Sequence, residues 1–226
     1  MRKILAMSAA IVLSAVLMTP AVQGQGQAQM PAQPMSFFIT STPMGDGANL
    51  GGLTGADAYC QKLATAAGAG NRTWHAYLSQ SQAGNAPAVN ARGRIGAGPW
   101  YNAKGELIAS SVADLHGDQQ HDRNNIRKPN ALNEKGGMVN GVGDTPNQHD
   151  MLTGSDSTGR VIVGSAAVTT CNNWTSNNAG NAIVGHHDRL GGGNSSWNAA
   201  HSTAGCSQET LVKTGGAGLF YCFATN

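Results

Sequence analysis

Four cysteines, spread along a chain that opens on an export signal, constrain this sequence more than any other feature. Cys60, Cys171, Cys206 and Cys222 lie far apart, and an even count in an exported protein reads as a disulfide framework rather than as thiol chemistry. Four cysteines allow three pairings, and spacing does not choose among them. The framework also narrows function: a chain that places all four in bridges keeps no cysteine as nucleophile or metal ligand.

Arg2 and Lys3 give the positive start of the signal, 4–18 its apolar stretch, and small residues follow, with cleavage sites after Gly24 or as late as Ala28. Residues 1–24 are therefore expected to be a signal peptide, and the Gln-, Pro- and Met-rich segment 25–34 a disordered leader. The apolar stretch falls short of the ~20 residues of a membrane span, and no cysteine follows it to carry a lipid. The mature chain is expected to be secreted or periplasmic, with no membrane span. Cleavage removes Arg2 and Lys3, leaving 12 of the 14 Lys and Arg against 12 Asp and Glu, a net charge of zero. No basic cluster interleaved with aromatics remains, so nucleic acid is not an expected partner.

Residues 35–226 fit one domain. The chain holds 31 Gly, too many for a helical bundle, whose interior loses about 1 kcal/mol for each Gly in place of Ala. One helix is predicted, from an N-cap at Thr54 to a stop at Gly68, with Cys60 inside it. Strands are predicted at 36–42, 73–79, 100–101 turning back into 106–109, 161–164 and 218–224. Two long stretches rich in Asp, Asn, His and Gly, 112–156 and 172–206, read as functional loops.

The order of these elements resembles the C-type lectin-like fold: a first strand, a helix bearing the first cysteine, a long loop region, and a terminal strand bearing the last. Within that fold the chain is similar to the endostatin-like branch and to bacterial proteins commonly labelled lectins. Carrying segments are Arg72-Thr-Trp-His-Ala-Tyr-Leu-Ser79, Ala88-Val-Asn-Ala-Arg-Gly-Arg-Ile95, Thr153-Gly-Ser-Asp-Ser-Thr-Gly-Arg160, Cys171-Asn-Asn-Trp174 and 219–223. The resemblance implies an α+β domain over 35–226 with few helices, small antiparallel sheets, long polar loops and two nested disulfides, Cys60–Cys222 and Cys171–Cys206. It also implies a carbohydrate- or glycoconjugate-binding protein without catalytic activity. Where calcium-dependent members carry an acidic triplet and Trp-Asn-Asp, this chain has Lys128-Pro129-Asn130 and Trp197-Asn198-Ala199. The usual calcium-mediated sugar site is therefore not expected.

Ligand contact is assigned to Asn130, Glu134, Asp188, Trp197 and Asn198, with Trp197 as an exposed stacking platform and the polar groups bonding hydroxyls. Trp74 and Trp100 read as core, and Trp174 as packed on a disulfide. His186-His187-Asp188-Arg189 is the sharpest polar cluster, and His186, Asp188, His201 and Asp118 are candidate ligands for zinc or calcium. Adjacent residues of an extended strand face opposite ways, so His186 and His187 would not share an ion. The segment 114–122 and the pair His149-Asp150 read as solvated turns. No Gly-x-Ser-x-Gly, His-Glu-x-x-His or phosphate-cradling loop occurs. Two other classes stay open: a module binding a surface protein, as in an adhesin, and a metal-dependent hydrolase centred on His186 and Asp188.

Overall fold

The computed structural model describes residues 33–117 and 126–226; Asp118 and the signal segment lie outside the described residues, as does most of the leader. In chain order the elements are β1 (Phe37–Ile39), α1 (Gly52–Ala66), β2 (Trp74–Ala76), β3 (Trp100–Tyr101), β4 (Leu107–Ala109), α2 (Val112–His116) and β5 (Asp150–Leu152). There follow α3 (Ala166–Thr169), α4 (Cys171–Trp174), β6 (Ile183–His186), β7 (His201–Ser202), α5 (Gln208–Lys213) and β8 (Gly216–Ala224). The class is α+β.

The sheet is built on β8. Its C-terminal half pairs antiparallel with β1 and with β2, one on each side, and its N-terminal half pairs parallel with β5. Beyond β5 the sheet continues antiparallel through β6 to β7, while β3 and β4 form a separate hairpin. The parallel β5–β8 pair departs from the all-antiparallel expectation. It arises because α5 returns the chain to the sheet in the direction of β5, beside a strand that no local hairpin reaches.

All nine residues of β8 are buried, and their alternation divides the interior into two cores. Phe220, Cys222 and Ala224 join Phe38, Trp74, Leu152, Val184 and Trp174 on one face, under Ala56, Cys60 and Ala64 of α1. Leu219, Tyr221 and Phe223 join Phe37, Tyr77, Trp100, Met151 and Trp197 on the other. The three α1 residues recur every four positions, so one stripe of the helix faces the sheet.

Disulfides link Cys60 to Cys222 and Cys171 to Cys206, the pairing that the resemblance implies. Among the described residues no cysteine is free, and no helix is long and apolar enough to cross a membrane. The first bridge spans 162 residues and the second 35, worth about 5 and about 4 kcal/mol in the chain-entropy account. Beside the second bridge, α4 is one turn of left-handed sense, with φ of 45°, 55°, 55° and 66° at Cys171, Asn172, Asn173 and Trp174. Side chains hold it there: Asn173 accepts from the Ser81 N–H and donates to the Ser81 carbonyl, both at 2.9 Å. The Trp174 indole donates to Ser79 O at 2.8 Å.

Several local expectations change. The main helix begins at Gly52 behind a left-handed Gly51, not at Thr54. Four further short helices accompany it. The stretch 161–164 is no strand: Val161 makes a single bridge to Ser155, and Val163 is 99% exposed. Its apolar residues have no partner strand to pack on, so propensity alone does not order them.

Candidate metal centre

At the far end of the first core, the apolar pattern of the sheet gives way to imidazoles and a carboxylate. Asp150 pairs with His186 across β5 and β6, and His201 pairs with Val184 across β6 and β7. Cross-strand partners share a face, as do residues two apart on one strand. Asp150, His186 and His201 therefore project to one side, next to Leu152 and Val184 of the core. The β5–β8 register shifts between Asp150 and Met151, and His149, just before this irregularity, stacks on His186 with ring centroids 4.1 Å apart.

Three Nε2 atoms surround one carboxylate oxygen. Asp150 Oδ1 lies 3.2 Å from His149, 3.3 Å from His186 and 3.4 Å from His201. Charge-assisted N–H···O bonds are shorter, about 2.7–2.9 Å, and Asp150 Oδ1 makes no hydrogen bond among the described residues. The three distances to Asp150 Oδ1 fit another geometry. Ligand atoms bonded to a tetrahedral zinc at about 2.0–2.1 Å stand about 3.3–3.4 Å apart. Donor atoms of His149, Asp150 and His186 all lie within 4.8 Å of one another, and His201 reaches the same oxygen from the solvent side.

Of the eight buried side-chain atoms that lack a hydrogen-bond partner among the described residues, five belong to this trio: His149 Nδ1, both Asp150 oxygens and both His186 nitrogens. Buried polar groups are nearly always paired, and an unpaired one costs about 1–3 kcal/mol. His149 Nδ1 turns to Asp188; the Asp150 carboxylate and His186 Nε2, 3.3 Å apart, mark a place where the described groups do not complete the bonding.

The charges fit this picture. Burial pushes the Asp150 carboxyl upward, but the contacts from His186 and His201 outweigh it and hold the group below the usual carboxylate range. Asp150 in turn raises His201 against a smaller effect of burial. Burial lowers His149, yet the Asp188 and Asp150 carboxylates more than offset this and leave it raised. His187 is lowered, chiefly by burial.

Neither family models nor curated protein sequences give a match to this chain. The functional reading therefore rests on the residues themselves.

The structure redistributes the sequence candidates. His186 and His201 come together with Asp150. Asp188 stands one layer out: its Oδ1 is 3.4 Å from His149 Nδ1, on the other side of the imidazole from Asp150. Its oxygens accept from the Val142 N–H at 2.7 Å and the Leu190 N–H at 3.0 Å, and these contacts hold it ionised although burial opposes them. Gly141 permits the close approach of that loop, since a Cβ there would meet Asp188 Oδ2 at 2.4 Å. His187 faces the other way, its Nε2 3.0 Å from Asn140 O. Asp118 lies outside the described residues.

Trp197 is not an exposed platform. Its exposure is 0%, and its ring packs with Tyr77 and Tyr221 in the second core. The cause is Gly185 in β6, where a Cβ would strike Trp197 O at 1.8 Å. The bare strand lets the 197–198 backbone cross it and turns the indole inward. Asn198 follows, donating to Tyr77 Oη at 2.9 Å and accepting from Ser196 Oγ at 3.0 Å. Glu134 is also buried and accepts from the Ser41 N–H at 3.0 Å and the Ser41 hydroxyl. Asn130, half-buried, accepts from the Arg127 N–H at 3.0 Å. These residues meet internal partners and do not converge on one surface.

His149 and Asp150 are the residues that sequence reasoning missed. Instead of forming a solvated turn they are buried. The available signal was Met151-Leu152 directly behind them, an apolar pair that marks a strand start, but a three-residue strand shows no periodicity.

Proposed function

We propose that this chain is an exported metal-binding protein in which His149, Asp150 and His186 hold one transition-metal ion of the zinc class, with His201 beside them at the rim. The observation that carries the reading is the buried Asp150 carboxylate and His186 Nε2, which lack hydrogen-bond partners among the described residues and stand 3.3 Å apart. An ion there would satisfy Asp150 Oδ1 and the facing imidazole nitrogens together, and would tie β5, β6 and β7 at one end. Imidazole-rich shells suit zinc, copper(II) or nickel, whereas calcium takes oxygen ligands. With all four cysteines in bridges, no thiolate enters the shell. Asp188 would act as the outer carboxylate that orients His149 so that Nε2 faces the ion.

The two disulfides and the leading signal pattern support an extracytoplasmic place, secreted or periplasmic. The bridge from α1 to the terminal strand supports the C-type lectin-like assignment. Carbohydrate recognition stays a proposal drawn from that resemblance; Trp197, Asn198 and Glu134 serve the interior and lend it no surface.

The test is metal content and affinity of the signal-less, oxidised protein after chelator dialysis. One zinc bound per chain, lost in His186→Ala, is the expected result. Absence of zinc, copper(II) and nickel binding by a protein shown to be folded would overturn the reading.

A further inference from the structure

The four donors are not equivalent. The side chains of His149, Asp150 and His186 are 7%, 1% and 2% exposed, whereas that of His201 is 36% exposed. His149 is stacked on His186, and Asp150 sits between β8 and β6. His201 belongs to a two-residue strand at the sheet edge whose one neighbour is β6. Its Nδ1 is 3.0 Å from the carbonyl of the adjacent Ser202. Three donors are thus fixed by the core, and the fourth stands at the solvent boundary on the least constrained element of the site.

We propose that the His201 side of the centre is an exchangeable coordination position that accepts a small carboxylate ligand from solution. The proposal rests on the metal-binding reading above and adds a ligand to it. Three protein ligands with one position open to exchange is the arrangement by which metal sites take up an external ligand, while closed four-ligand shells are structural. Charge selects the class. A divalent ion with Asp150 as its one anionic ligand retains a unit of positive charge, so an anionic oxygen donor is favoured over a neutral one. Asp188 keeps its charge but stands behind His149, its Oδ1 3.4 Å from His149 Nδ1 on the far side of that ring, and distance weakens its effect at the His201 side of the ion. The exchange is ligand substitution: the carboxylate oxygen donates a lone pair to the ion as His201 Nε2 withdraws, with no change of oxidation state.

Cobalt(II) loading of the signal-less, oxidised protein tests this, because the visible bands of cobalt report its coordination shell. Acetate is the probe, titrated at constant ionic strength with perchlorate as the balancing salt. The wild type is expected to show a saturable change of the bands with acetate. His201→Ala is expected to keep cobalt with less than about tenfold loss of affinity, while His186→Ala loses more than about a hundredfold. Acetate should act on His201→Ala at lower concentration, since no imidazole competes for the position. Cobalt bound but indifferent to acetate in both proteins would overturn the exchangeable position and leave the metal centre standing. A hundredfold loss in His201→Ala, with its circular dichroism unchanged, would make His201 a fixed ligand and overturn the proposal equally. Failure of the folded wild type to bind cobalt, with zinc, copper(II) and nickel unbound as well, would remove both readings.

Discussion

The two ends of the first core fix the chain in opposite ways. Under α1 and α4 the fixing is covalent and complete: both disulfides lie there, and the strained left-handed turn has its polar groups met by Ser79 and Ser81. At the β5–β6–β7 end there is no bridge, and imidazoles and a carboxylate face one another at distances too long for good hydrogen bonds. One end is finished by the chain's own chemistry; the other has donors arranged for something the chain does not supply. Both ends join the same strands, since Leu152 and Val184 belong to the disulfide-bearing core and sit beside Asp150 and His186.

If the comparison is sound, perturbing one end should leave the other's signature intact. The largest effect is expected from replacing Cys60 and Cys222 together by Ala, a loss of about 5 kcal/mol in urea unfolding that is the same with and without zinc. Next comes the metal end. Zinc at a thousand times its Kd should stabilise the wild type by about 4 kcal/mol, and in His186→Ala the rise in Tm with zinc should vanish while both disulfides still form. Asp188→Asn should weaken zinc binding by about 10–100-fold. Stability of the metal-free Asp188→Asn protein should change much less, a split that calorimetric titration and thermal unfolding would expose. The smallest effect belongs to the left-handed turn. Asn172→Ala should cost about 1 kcal/mol with zinc affinity unchanged, and Asn172→Gly should cost less, because Asn172 is exposed at φ 55°.

What could be read in the sequence follows the same division. The disulfide end was legible because its elements are long or strongly patterned: a 15-residue helix with small residues at four-residue spacing, and a terminal strand alternating between two cores. The order of those elements led to the correct cysteine pairing through resemblance. The metal end was not legible, because β5, β6 and β7 hold three, four and two residues. Strands this short carry no period, and the polar residues that end them look like turn residues. His186 and His201 were found by composition alone. Their partner Asp150 is 36 positions before His186 and joins it only through the β5–β6 register. Trp197 shows the same limit from the other side: a Gly/Asn/Ser-rich neighbourhood suggests exposure, but its backbone passes close over Gly185 of β6 and its indole is buried in the second core.

The central claim is that the imidazoles around Asp150 form one metal shell. X-ray absorption at the zinc edge, on the oxidised protein loaded with one equivalent, tests it most directly. The account predicts four nitrogen or oxygen neighbours at about 2.0–2.1 Å, with the outer-shell scattering of at least two imidazoles that weakens in His186→Ala. A shell containing sulfur, or one of six oxygens without imidazole scattering, would contradict it.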